Sequence, residues 1–251
     1  MDRLLTLKNV SLTYHTKNIE TKAIENLTFS VEKGQFVAII GPSGCGKTSV
    51  LSLICGLIKT SGGDIEINGE KITKPVDYIG YMLQKDQLFP WLTIEENVFL
   101  PLKIKKRFTE NDKQRVYSLM EKYGLKQFIK YYPSQLSGGM RQRVALIRTL
   151  SFSPELLLLD EPFSALDYQT RLLVCEDVYR IIKSEKKTAL LVTHDISEAI
   201  SLADKIIVLS ARPATVKQEY TLDFGCDLSP LKKREDEKFG RWFEILWKEL
   251  N

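Results

Sequence analysis

No stretch of this 251-residue chain is apolar for long. The longest uninterrupted runs, Phe36 to Ile40 and Leu156 to Leu159, fall far short of the about 18 residues that cross a bilayer as a helix, so any membrane role is expected to be peripheral. Residues 1 to 8 carry neither an apolar core nor a small-residue cleavage site, so the chain is expected to begin at Met1 without an export signal. Cysteine is sparse: Cys45, Cys55, Cys175 and Cys226 show neither metal spacing nor a disulfide framework, which predicts reduced thiols. A one-sided basic patch is also missing. The formal charge is +4, and its densest run, Lys232-Lys233-Arg234, is answered at once by Glu235-Asp236-Glu237, a solvated helix face that argues against a nucleic-acid partner.

What is present is the composition of a packed globule, 43% hydrophobic and 27% charged. Residues 4 to 14 and 23 to 31 alternate as half-buried strands do, and Asn68-Gly69 signals a hairpin. From Phe36 onward the pattern changes to short, wholly apolar runs, Phe36 to Ile40, Leu156 to Leu159, Thr188 to Val192 and Lys205 to Leu209, which suit parallel strands covered on both faces. Between about residues 92 and 152 helical spacing replaces them, over Ile94 to Ile104, Asn111 to Tyr123 and Gly138 to Leu150. The predicted fold is α/β: a mixed sheet core (1–91 and 153–215) with an N-terminal antiparallel β subdomain, an inserted helical lobe (92–152) and a C-terminal extension (216–251), in one folding unit.

The octapeptide Gly41-Pro42-Ser43-Gly44-Cys45-Gly46-Lys47-Thr48 fits G-x-x-x-x-G-K-[ST] between a predicted strand and a predicted helix, and Ser49 follows it. Glycines let the backbone curl so that N–H groups point inward at phosphates, Lys47 reaches the outer ones and Thr48 can ligate magnesium. The strand Leu156 to Leu159 runs into Asp160-Glu161-Pro162 at the sheet edge where nucleotide sites form. Adjacent strand residues face opposite ways, so Asp160 is predicted to hold magnesium through water and Glu161 to orient and deprotonate the attacking water. Leu136-Ser137-Gly138-Gly139-Met140-Arg141-Gln142-Arg143 opens a helix with a second phosphate cradle. One chain needs a single cradle per γ-phosphate, so the second is predicted to cap the nucleotide of another copy.

With these motifs the sequence closely resembles, over residues 1 to 215, the ATP-binding subunits of ABC transporters, P-loop NTPases whose signature is usually LSGGQ. Met140 at the fifth position, and Pro90-Trp91-Leu92-Thr93, resemble the importer subgroup for nitrate, sulfonates, taurine and thiamine precursors. The resemblance implies ATP and Mg2+ as ligands, a head-to-tail homodimer, transmembrane permease subunits, a substrate-binding protein acting through them, and a peripheral place on the cytoplasmic face of the cell membrane. It implies that Gln84 touches magnesium and the attacking water, that Asp167 links the two sites, that His194 holds the γ-phosphate, and that Tyr14 stacks on adenine. An exporter motor or a non-transport ABC ATPase on nucleic acid are the alternatives. Two segments stay open between readings. Leu88-Phe89-Pro90-Trp91-Leu92 either packs between lobes or receives a short helix of a permease, and the stripe Trp242, Phe243, Ile245, Leu246, Trp247, Leu250 packs on the core or meets a partner or membrane.

Overall fold

The computed structural model describes residues 2–15, 19–106, 108–225 and 228–250; Cys226 lies outside them. In chain order the strands are β1 (Arg3–His15), β2 (Glu20–Glu32), β3 (Phe36–Ile40), β4 (Gly62–Ile67), β5 (Glu70–Lys71), β6 (Ile79–Met82), β7 (Leu156–Asp160), β8 (Thr188–Val192), β9 (Lys205–Leu209) and β10 (Val216–Thr221). The helices are α1 (Lys47–Ile54), α2 (Ile94–Ile104), α3 (Glu110–Lys122), α4 (Gly138–Leu150), α5 (Tyr168–Ser184), α6 (Ile196–Leu202), α7 (Pro230–Glu235) and α8 (Glu237–Leu250). None of the described helices is long and apolar enough to cross a membrane.

The strands form two sheets. The first is antiparallel, in the order β2-β1-β4-β5. Its closing hairpin turns on Asn68 and Gly69, both at positive φ (52° and 78°), as a tight two-residue turn demands. The second sheet runs β10-β9-β3-β8-β7-β6, parallel except for β10. Because side chains alternate across a strand, β3 splits its burial: Phe36, Ala38 and Ile40 join the core shared with the helical lobe, Val37 and Ile39 the core under the antiparallel sheet and α1. Strands β7 and β8 split in the same way, which is why they read as unbroken apolar runs.

The lobe of α2, α3 and α4 starts two of its helices with reciprocal capping boxes, Thr93 with Glu96 and Thr109 with Asp112, each capping residue contributing about 1 kcal/mol. Two strands escaped the sequence pattern. Strand β6 contains Gly80, a residue that ordinarily weakens a strand, because a Cβ there would come within 2.6 Å of Thr149 Cγ2 on α4. Strand β10 is an antiparallel edge bearing Lys217, Gln218 and Glu219, so it shows no apolar run, and the sheet continues past the boundary drawn at residue 215. The aromatic stripe lies on α8, where Leu246 is fully buried and Phe239, Trp242, Phe243 and Leu250 pack on the main core, with the Trp242 ring 6.0 Å from that of Tyr220. Ile245 and Trp247, which flank Leu246, stay exposed.

Candidate active site

Strand β3 delivers the chain into a loop that curls back before α1. Gly44 and Gly46 sit at φ 73° and 122°, and a Cβ on Gly41 would crowd Cys45 Sγ and Leu209 Cβ at 3.1 Å. The Cys45 side chain is buried. No side chain caps the N-terminus of α1, which leaves its first N–H groups available to an anion. Lys47 is buried and donates from Nζ to the carbonyls of Gly41 (2.8 Å) and Pro42 (3.0 Å). Ser43, Gly44, Gly46, Lys47, Thr48, Ser49, Glu161 and Arg212 line a cleft of about 370 Å³. The Tyr14 ring, 43% exposed, has its hydroxyl 3.0 Å from Ser49 Oγ. Arg212 was not anticipated: it stands in the β9–β10 turn with only Pro213 to mark it, and donates to the Gly44 carbonyl at 2.8 Å.

Asp160 continues the face of β7 that carries Leu156 and Leu158, and so meets α1. Its Oδ1 accepts from Thr48 Oγ1 at 3.2 Å and its Oδ2 from the Tyr81 hydroxyl at 3.1 Å. Burial raises the Asp160 pKa, against the pull of both hydrogen bonds, and burial together with Asp160 raises that of Tyr81. Glu161 leaves the strand at φ 43°, a conformation that β-strands never use, held by its N–H donating to the Val192 carbonyl at 2.8 Å. This turn swings its carboxylate away from Asp160, toward His194 Nδ1 at 3.1 Å and Gln84 Nε2 at 3.4 Å. Three residues from three separate loops thus meet at the carboxylate of Glu161, which lines the cleft. Tyr81 was missed in the sequence because it looks like any strand aromatic.

Behind His194 lies a buried carboxyl, Glu198, 2% exposed. Burial pushes it up from 4.5 to about 7, while the Thr193 hydroxyl, Arg171 and His194 pull it down and Asp195 adds to the rise. A carboxyl raised in the fold binds its proton more tightly there than in the unfolded chain, so its stabilisation is complete below about pH 4.5 and is lost as the pH climbs through about 7. The loss amounts to about 3 kcal/mol over that window. Calorimetry of the parent and of Glu198→Gln should show the variant missing this downward slope between pH 5 and 7.5. Parallel slopes would mean that Glu198 does not titrate there.

The segment read as a second cradle opens α4. Ser137 caps the helix, accepting from the Met140 N–H at 3.3 Å, and stays exposed, while Met140 is partly buried against the core. Gly138 and Gly139 have a packing reason besides the one read from the motif: a Cβ would come within 3.0 Å of Leu166 Cδ2 or 2.8 Å of Val174 Cγ2. Asp167 caps α5 by accepting from the Thr170 N–H at 3.0 Å, and hydrogen bonds from Thr170 hold its carboxyl below the usual range. None of Ser137, Gly138, Gly139 or Asp167 lines the cleft.

Of the apolar segment after Gln84, only Leu88 is buried; Phe89 and Trp91 are 38% and 69% exposed, with ring centroids 5.2 Å apart. Asn97, wholly buried on α2, accepts from the Phe89 N–H at 2.7 Å and reaches the carbonyls of Phe89, Leu92 and Thr93 at 2.9 to 3.1 Å. Arg148 of α4 donates to the carbonyls of Asp86 and Gln87, and Arg141 to the Asp86 carboxylate. Hydrogen bonds of this number, four of them to the wholly buried Asn97, hold a segment in one shape, because breaking them leaves a buried polar side chain unsatisfied at about 1–3 kcal/mol.

The profile of the ABC transporter family matches residues 24–164, spanning the phosphate loop, Gln84, the second cradle and Glu161. The chain belongs to the ABC transporter family. This ABC transporter chain is 48% identical over 98% of its length to the uncharacterized ABC transporter ATP-binding protein YtlC of Bacillus subtilis (strain 168), covering 95% of that protein. It is 44% identical, over 77% of its length and 74% of the relative's, to the aliphatic sulfonates import ATP-binding protein SsuB of the same strain. Among solved structures, the ATP-binding cassette MJ0796, a dimer in a post-hydrolysis state bound to ADP and Pi, matches with a TM-score of 0.74 and 33% identity, over 88% of this chain and 99% of that one. The ABC transporter chain is an ATP-binding ATPase with the cassette fold that the motifs implied.

Proposed function

We propose that this ABC transporter chain hydrolyses ATP with Mg2+ as half of a head-to-tail homodimer, at the cytoplasmic face of a membrane, and drives a permease that imports a small sulfonate or a compound of the nitrate, taurine or thiamine-precursor kind delivered by a substrate-binding protein. The observation that carries the pairing is the place of Ser137, Gly138 and Gly139, at a helix start outside the cleft that holds Lys47. A second chain turned end for end would lay its cradle over that cleft and so complete it, with Asp167 between the two sites. The dimeric MJ0796 cassettes support this reading.

Within one half site, Tyr14 supplies a ring for adenine, Gly41 to Ser49 supply N–H groups and the Lys47 ammonium for the phosphates, and Glu161 takes the proton of water whose position Gln84 and His194 help to set. The hydroxyl of Thr48 and the carboxylate of Asp160, 3.2 Å apart, are the hard oxygen donors that Mg2+ prefers, and Gln84 offers another. Bound there, the ion would neutralise charge on the outer phosphates. The Tyr81 hydrogen bond fixes the Asp160 carboxylate so that Oδ1 stays turned toward Thr48.

The import reading draws on the SsuB relatives, named for aliphatic sulfonates import, and on the aromatic pair Phe89 and Trp91, exposed yet rigidly held, which suits a hot spot for a short permease helix. Reconstitution of the complex in vesicles should show ATP turnover stimulated by an aliphatic sulfonate through the binding protein. Trp91→Ala, at so exposed a site, should leave the melting temperature and soluble ATPase rate unchanged while weakening co-purification with the permease by at least about tenfold. Assembly equal to the parent's would remove the docking role, and stimulation by a nucleic acid instead of a small anion would remove transport.

A further inference from the structure

Arg171, in the first turn of α5, stands between two loops of the site. Its Nη2 donates to the carbonyl of Leu166 at 2.9 Å, immediately before Asp167, and its Nη1 to Asp195 Oδ2 at 3.3 Å, immediately after His194. Its Nε lies 3.8 Å from Glu198 Oε1, and the other Glu198 oxygen accepts from the Thr193 hydroxyl at 2.7 Å, immediately before His194. The circle closes where the Asp195 N–H donates to Thr193 Oγ1 at 3.0 Å and Asp195 Oδ1 accepts from the N–H groups of Ser197 and Glu198. Both chain neighbours of His194 are thereby tied to one guanidinium, whose remaining anchor is the loop that carries Asp167.

Burying Glu198 and most of Arg171 is expensive, and well-packed apolar side chains of the same volume would stabilise the core at least as well. Apolar groups could not grip the Leu166 carbonyl and the Asp195 carboxylate in one fixed fork, which is what a guanidinium does. The fork also has slack on one side: Arg171 Nε is buried and makes no hydrogen bond, standing at ion-pair distance from Glu198. A shift of the Leu166 carbonyl by a few tenths of an ångström could be taken up there by closing that gap, which gives the connection a second arrangement within reach.

We infer that Arg171 and Glu198 are positioning residues that couple the Leu166–Asp167 segment to His194, so that a second chain pressing on Asp167 resets the 3.1 Å contact of His194 with Glu161. The inference rests on the paired arrangement proposed above. It explains why the chain neighbours of the exposed cap Asp167 and of His194 meet at one guanidinium.

The test uses the full chain and four readouts: melting temperature, ATP dissociation constant, kcat and the Hill coefficient for ATP. In the parent the Hill coefficient should approach about 2, the number of sites in the pair. Arg171→Met should lower kcat by about tenfold to a hundredfold, keep the ATP dissociation constant within about twofold, and bring the Hill coefficient near 1. Glu198→Gln, which still accepts from Thr193, should lose cooperativity with a smaller fall in kcat. Arg171→Lys keeps the charge but not the fork, so it should regain the parental melting temperature without regaining cooperativity, and it serves where Arg171→Met fails to fold. A fully cooperative Arg171→Lys or Glu198→Gln of normal stability overturns the inference alone. A parent that hydrolyses ATP without cooperativity overturns the paired reading and the inference with it.

Discussion

Glu161→Gln is expected to lower ATP turnover by about two to three orders of magnitude while ATP affinity stays within about threefold of the parent's or tightens. The amide keeps the size of the side chain and can still meet His194 Nδ1 and Gln84 Nε2, which lie 3.1 and 3.4 Å from the present carboxylate, so the loops should keep their positions. What it loses is the ability to take a proton from water. The carboxylate also lines the same cleft as the phosphate loop, where its negative charge opposes that of the nucleotide, so removing it cannot weaken binding by electrostatics. A variant that binds but does not turn over should collect as an ATP-held dimer, seen as a doubled mass on gel filtration with ATP and as the parental mass with ADP. Turnover within tenfold of the parent's would take the role of base away from Glu161.

The second large effect is on binding. Lys47→Met should weaken ATP binding by about a hundredfold, the value of roughly two charge-assisted hydrogen bonds to phosphate oxygens. The methionine stem fills the same buried passage, but the carbonyls of Gly41 and Pro42 lose the ammonium that now donates to them, so the melting temperature should also fall by about a few degrees. This variant also tests the pairing. A Lys47→Met chain still presents Ser137 to Gly139, and a Ser137→Arg chain still presents Lys47. Each alone should be inactive, and a mixture should recover turnover in the one intact composite site of each mixed pair. No recovery on mixing, with both variants folded, would refute the head-to-tail arrangement.

Much of the framework was legible because its physics is local. The run Leu156 to Leu159, covered on both faces, suits an inner strand, and the helix over Ile94 to Ile104 announces itself by spacing. The phosphate loop was legible because glycines at 41, 44 and 46 answer needs of close approach and positive φ that other residues meet poorly. Strand β6 was not legible, because Gly80 is dictated by α4 lying against it, and β10 was not, because an edge strand need not be apolar. The aromatic stripe of α8 could not be assigned from its spacing, since a helical period states that one face is buried without stating against what.

The sequence by itself determined that a glycine-rich loop of phosphate-binding pattern follows a buried strand, that two carboxylates end another, and that Ser137-Gly138-Gly139 opens a helix, because each depends on neighbours within a few positions in the chain. Only the tertiary structure decided how these parts act on one another. It is the fold that turns Glu161 out of strand β7 to face His194 and Gln84, sets Tyr81 and Thr48 on either oxygen of Asp160, lays Arg212 on the phosphate loop, and leaves the second cradle outside the cleft of its own chain. Those contacts join residues as many as 168 positions apart, as from Gly44 to Arg212. Their geometry is set by strand register and helix packing, which no local pattern of residues specifies.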